Sequence, residues 1–186
     1  MKSKTILLSA ILLASASMAD DMAVKQEGVK YIKMLGGALK TQLKAKMKED
    51  KSGLTALAFC TGSADKITKE VNTKLPEYAT VRRTSLKVRN DKVNAPDATD
   101  TKVMKQFEAE IKAKTLTPKT IMMVEEGDTT RVYKPLVAKA VCLKCHGSNI
   151  DPKIAEALKS SYPHDKAIGF KEGDLRGVIV AEIKKH

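Results

Sequence analysis

Cys142-Leu143-Lys144-Cys145-His146 constrains this chain more than any other stretch. Two thiols lie three residues apart and an imidazole follows directly. On a short helical turn, thiols so spaced sit about one porphyrin edge apart, each able to add across one haem vinyl group. The histidine can then reach the iron. The pattern therefore points to a covalently attached haem c. Half of a zinc site is the competing reading, because C-x-x-C also presents tetrahedral thiolates. That site needs two more ligands, and the sequence holds no second C-x-x-C.

The N-terminus supplies the compartment such an attachment requires. Met1-Lys2-Ser3-Lys4 is a short basic segment, Thr5 to Ala16 is almost wholly apolar or small, and Ser17-Met18-Ala19 has the small residues of a cleavage site before Asp20. This is the pattern of a secretory signal peptide, residues 1–19, removed after Ala19. The apolar run is shorter than the ~20 residues that span a bilayer, so no membrane span is expected after cleavage. Export and covalent haem attachment support each other, and the expected location is the periplasm. Residues 20–186 form the expected haem-binding domain, long enough for one real core.

The formal charge of +12 would invite a nucleic-acid reading, but export and an aromatic content of 4% without tryptophan argue against one. A solvated lysine surface, able to dock an acidic redox-partner protein, accounts for the charge. Only five basic residues are arginine, and three of them, Arg82, Arg83 and Arg89, fall close together. Arginine's planar fork suits carboxylates held in fixed geometry. Haem carries two propionates, so these three are candidate cofactor-binding residues, with a structural ion pair as the alternative.

Periodicity then divides the chain. Val24, Tyr31, Ile32, Leu35, Leu39, Leu43 and Met47 predict an amphipathic helix over about 22–49, with Gly36-Gly37 marking a kink or a close approach. Ser52 is a candidate N-cap for a second helix, whose stripe of Leu57, Cys60, Ala64, Ile67 and Val71 points Cys60 inward. A strand over Tyr78–Arg89, a helix over about 100–114, strands over Thr120–Glu125 and Thr130–Val137, a helix around 152–160 and a last strand over Gly177–Ile183 follow. Glu126-Gly127-Asp128-Thr129 is a hairpin signal. This order predicts an α+β fold.

With Cys142 and Cys145 in the haem motif, Cys60 is left over, and an odd thiol in an oxidising compartment needs a reason. It is a buried core thiol, a partner in an intermolecular bond, or a second axial ligand. The rival ligands are His164, His186 and the methionines.

The chain resembles the PAS-like single-haem cytochromes known from cyanobacteria, whose haem domain also serves as the exported sensor region of some bacterial histidine kinases. The resemblance is carried by Arg82-Arg83-Thr84-Ser85-Leu86-Lys87-Val88-Arg89-Asn90 with Asn94-Ala95-Pro96-Asp97, and by Tyr133-Lys134-Pro135 leading into Cys142-Leu143-Lys144-Cys145-His146-Gly147. Tyr162-Pro163-His164-Asp165-Lys166-Ala167-Ile168-Gly169 and Gly173-Asp174-Leu175-Arg176-Gly177 extend it. Asp91-Lys92-Val93 departs from the family's more proline-like loop. The resemblance implies a PAS-like antiparallel sheet flanked by helices. It also implies an iron bound by the motif histidine and by a cysteine on an N-terminal helix, here His146 and Cys60.

The expected function is that of a mono-haem c-type cytochrome in electron transfer. The alternative is a redox or gas sensor, responding to NO or CO and signalling to a separate partner, since the chain carries no kinase region of its own. An enzyme is not expected, because an iron with both axial positions filled offers no open site for substrate.

Overall fold

The computed structural model describes the backbone of residues 7–185, with side chains from Asp20 onward. All of the expected signal peptide, residues 1–19, lies outside those side chains, and its first six residues lie outside the described backbone. Helix α1 runs Leu7–Glu49, so it begins well before the expected start near residue 22. No described helix is long and apolar enough to cross a membrane. Helices α2 (Leu54–Gly62) and α3 (Ala64–Asn72) follow, then strand β1 (Ala79–Thr84), the short α4 (Asp91–Asn94) and α5 (Ala98–Lys112). The hairpin β2 (Met122–Glu126) and β3 (Thr129–Val137), a 3-10 turn, α6 (Leu143–His146), α7 (Pro152–Ser161) and β4 (Leu175–Lys184) complete the chain.

The four strands form one antiparallel sheet in the order β1-β4-β3-β2. β4 lies inside the sheet and is covered on both faces, which is why Val178, Ile179, Val180 and Ala181 are all buried. On one face Tyr31, Ile32 and Leu35 of α1 pack on Val81, Val132, Ile179 and Ile183. On the other, Val103, Met104 and Phe107 of α5 pack on Tyr133, Val178 and Val180. The close approach expected at Gly36 is present, since a Cβ there would stand 3.1 Å from Ile179 Cδ1. Gly28 makes a tighter one, where a Cβ would stand 2.5 Å from Val132.

Three local expectations are corrected. The second predicted helix is two helices that break at Ser63, where Gly62-Ser63 offers poor helical propensity. Its stripe nonetheless buries Leu57, Ala64 and Val71 as read. The N-cap of α2 is Gly53, not Ser52, and Asp50 accepts from the Thr55 amide at 3.1 Å. The strand expected to reach Arg89 stops at Thr84.

A buried carboxylate ties α5 to the sheet. Asp97 and Asp100 cap the helix reciprocally. Asp100 is fully buried and also takes both Arg82 terminal nitrogens, at 2.9 and 3.1 Å, and the Tyr133 hydroxyl at 3.0 Å. Asp100→Ala would leave Arg82 and Tyr133 short of an acceptor and remove half of the cap. It is expected to cost about 3 kcal/mol, the lower end for breaking a buried ion pair because Arg82 is partly exposed. Urea denaturation checks this, and an unshifted midpoint would mean that the network contributes nothing net.

Candidate functional site

Because β4 is antiparallel to both neighbours, the ends of β1 and β3 and the start of β4 meet at one end of the sheet. The Cys142–His146 motif lies there, just past β3. It is a helical turn as expected, with a 3-10 turn over Ala140–Cys142 running into α6. At Gly147 a Cβ would stand 2.6 Å from the Leu143 carbonyl oxygen, so glycine lets the chain leave the turn. The exposed carbonyls at the end of α6 are taken up from the loop before β4: Phe170 N–H donates to His146 O and Gly169 N–H to Gly147 O, both at 2.9 Å.

His146 is held in one tautomer. Its Nδ1 lies 2.7 Å from the Ala167 carbonyl oxygen, which can only accept, so Nδ1 carries the proton. Nε2 is then a lone pair, and Arg176 Nε donates to it at 3.4 Å. Burial, with Arg176 and then Arg89 nearby, pushes the imidazole's pKa down to about 2, so the ring is neutral at physiological pH.

The arginines part company. Arg82 is not part of the site. Successive strand residues face opposite sides, and its guanidinium binds Asp100 and Glu182 on the α5 face. Arg83 points to the other face, towards α2 and α3, and lies 3.5 Å from Asp65. Its Nε is buried without an acceptor. Arg89 is at the site but committed: it pairs with Asp165 at 2.9 Å and donates to the Cys145 and Ala167 carbonyls at 2.6 and 3.2 Å. Arg89 therefore holds the motif turn and the carbonyl that orients His146. Arg176, at the head of β4, also reaches the motif, donating to His146 Nε2, although the sequence does not single it out. Its weak signal was that it is one of only five arginines.

Cys60 sits on α2, beside Leu57, which packs with Ile154 and Leu158 of α7. Cys145 and Tyr162 pack against that same cluster, and the Tyr162 hydroxyl donates to the Cys60 carbonyl at 3.4 Å. α2 is thus brought to the motif from the far side of the cluster. Burial first, and then Cys145, pushes the Cys60 thiol up, while Arg83, Arg89 and Arg176 pull it the other way. Cys60, Cys142 and Cys145 are all half-buried and unpaired. The rival ligand His164 faces solvent, its side chain 78% exposed and 3.7 Å from Asp91. His186 lies outside the described residues. Met104 is locked in the α5 core. Among the described residues, no three His, Cys, Asp or Glu gather as a group able to hold a metal ion.

Four antiparallel strands with α1 and α5 on opposite faces define a PAS-like α+β domain. The family model described as Tll0287-like matches residues 7–183, and the chain belongs to that family. A solved structure, the "Crystal structure of the cyanobacterial heme-protein Tll0287", shares the fold at a TM-score of 0.60 and 23% identity. The match covers 91% of this chain and 96% of that one. No curated protein matches the chain.

Proposed function

We propose that the chain is a periplasmic mono-haem c-type cytochrome that acts in electron transfer, with haem attached at Cys142 and Cys145. The observation that carries this is that α2 brings Cys60 near Cys145 of the motif, although the two lie on elements far apart in sequence. The residues present fit the group. Three unpaired thiols, an imidazole of fixed tautomer and a buried Arg83 nitrogen without an acceptor are the donors such a cofactor needs. The relative's description as a heme-protein supports the same reading.

In this reading Cys142 and Cys145 would anchor the haem through thioethers, and His146 Nε2 and Cys60 would hold its iron. Bound there, haem supplies an iron that accepts and returns one electron. The chain's own part is to fix its ligands. Ala167 holds the Nδ1 proton and so presents Nε2 as a lone pair. Arg89 and Asp165 hold Ala167 in turn, since Asp165 accepts the Ala167 amide at 2.7 Å. Were His146 and Cys60 both to hold the iron, substrate would have no route to it, which favours electron exchange over catalysis. The lysine-rich surface would steer an acidic redox partner.

Export is part of the proposal, with cleavage after Ala19 leaving Asp20–Glu49 of α1. The intact mass of protein isolated from the periplasm is expected to equal a chain from Asp20 plus one haem, with a matching pyridine haemochrome spectrum. A chain that keeps Met1 would overturn the export reading. A mass without haem, or with stoichiometric zinc, would overturn the cytochrome.

A further inference from the structure

Among the described residues no carboxylate pairs with Arg176, Asp165 acting on it only from beyond ion-pair distance. Arg82, Arg83, Arg89 and Arg131 each have one within 4.0 Å, but among the described residues none stands within that distance of Arg176. Its guanidinium instead donates to Ser85 Oγ at 3.0 Å and to His146 Nε2 at 3.4 Å, and lies 5.3 Å from the centre of the Phe170 ring. Ser85 in turn donates to the Arg176 carbonyl at 2.7 Å, which fixes the backbone and leaves the side chain as the part that can move. Burial first, then Arg89 and Arg83 close by, disfavour its charge, while Asp165 favours it. Three guanidiniums thus converge over two carboxylates, Asp65 and Asp165, and the surplus positive charge is at Arg176. The neighbouring Arg83 Nε is buried and has no acceptor.

A partly buried cation beside two others is costly unless an anion joins it. The chemistry that completes this set is a carboxylate held in fixed geometry beside His146. We propose that Arg176 and Arg83, rather than Arg82 or Arg89, receive a propionate of the haem. The proposal rests on the cytochrome reading above. Arg176 donates to His146 Nε2, so its guanidinium already stands beside the nitrogen that would hold the group, where that group's carboxylate could reach it.

The test compares Arg176→Gln, Arg176→Lys, Arg83→Gln and Arg82→Gln, each as the haem-loaded full chain. The readouts are the propionate bending bands in resonance Raman spectra and the melting temperature. Arg176→Gln and Arg83→Gln are expected to shift the propionate bands and to lower the melting temperature by about 4 °C or more. Arg176→Lys should restore the bands in part, because it returns the charge without the fork. Arg82→Gln should lower the melting temperature through the Asp100 network and leave the bands unmoved. Bands that match the wild type in both Arg176→Gln and Arg83→Gln would overturn the proposal, and Arg83→Gln alone decides it if the Arg176 variants do not accumulate. Stabilisation of the haem-loaded wild type by added phosphate, lost in Arg176→Gln, would show that a soluble anion takes the site and would also overturn it. Wild-type protein without haem would sink the cytochrome reading itself, a different outcome from normal loading with unmoved bands.

Discussion

Replacing Cys142 and Cys145 together by serine is expected to leave no haem on the chain after acid–acetone extraction, while the wild type keeps all of it. A thioether survives acid and organic solvent, whereas an iron–imidazole bond does not, since acid protonates the nitrogen. The two thiols are not equivalent. Cys145 lies against the Leu57, Ile154 and Leu158 cluster, and its carbonyl is tied to Arg89. Cys142 is at the end of the 3-10 turn, where the Lys139 amide lies 3.4 Å from its sulfur. Cys145→Ser is therefore expected to reduce attached haem more than Cys142→Ser, because it also places a hydroxyl against an apolar cluster at a cost of about 1–3 kcal/mol. Haemochrome absorbance per mole of protein measures both. Haem that stays bound in the double variant would mean that the motif does not hold it covalently.

Much of this site is legible because its strongest signals are local. The Cys142–His146 spacing, the Cys60 stripe and the hairpin at Gly127-Asp128 each depend on a few neighbouring residues, and the structure has a helical turn, an inward-facing helix and a two-residue turn there. What sequence could not supply depends on register. Arg82 and Arg83 are adjacent and look alike, yet strand alternation sends one to Asp100 and the other towards Cys60. Arg176 enters the site only because β4 pairs with β1, Val178 opposite Thr84. Arg89 has the composition of a propionate clamp, but its donors are occupied by Asp165 and two carbonyls. The break at Ser63 was hidden for the opposite reason: the apolar stripe continues through it, so periodicity alone reads one helix.

Cys60→Ala is expected to change the spectrum and potential of the loaded protein more than any other single substitution outside the motif. Alanine keeps the α2 helix and loses only the sulfur, and the half-buried position beside Leu57 tolerates the smaller side chain at a cost of about 1 kcal/mol. A thiolate donates negative charge directly to the metal and so favours the ferric state more than imidazole or thioether does. Losing it is expected to raise the midpoint potential by something on the order of 0.1 V or more, within the ~0.8 V range that axial ligands command. The ferric spectrum should turn high-spin or show a different ligand, and the reduced protein should bind CO readily. Replacement by a neighbouring side chain has few candidates: His164 faces solvent beside Asp91, and Met104 is packed among Val103 and Phe107. An unchanged midpoint and ferric spectrum would place Cys60 among the core thiols and leave the second axial position to another residue. Fast CO binding by the reduced wild type would point elsewhere. It would mean that the thiol leaves on reduction, and α2, joined to α7 and the motif through the Leu57 cluster, would then be the element whose movement a sensor's partner reads.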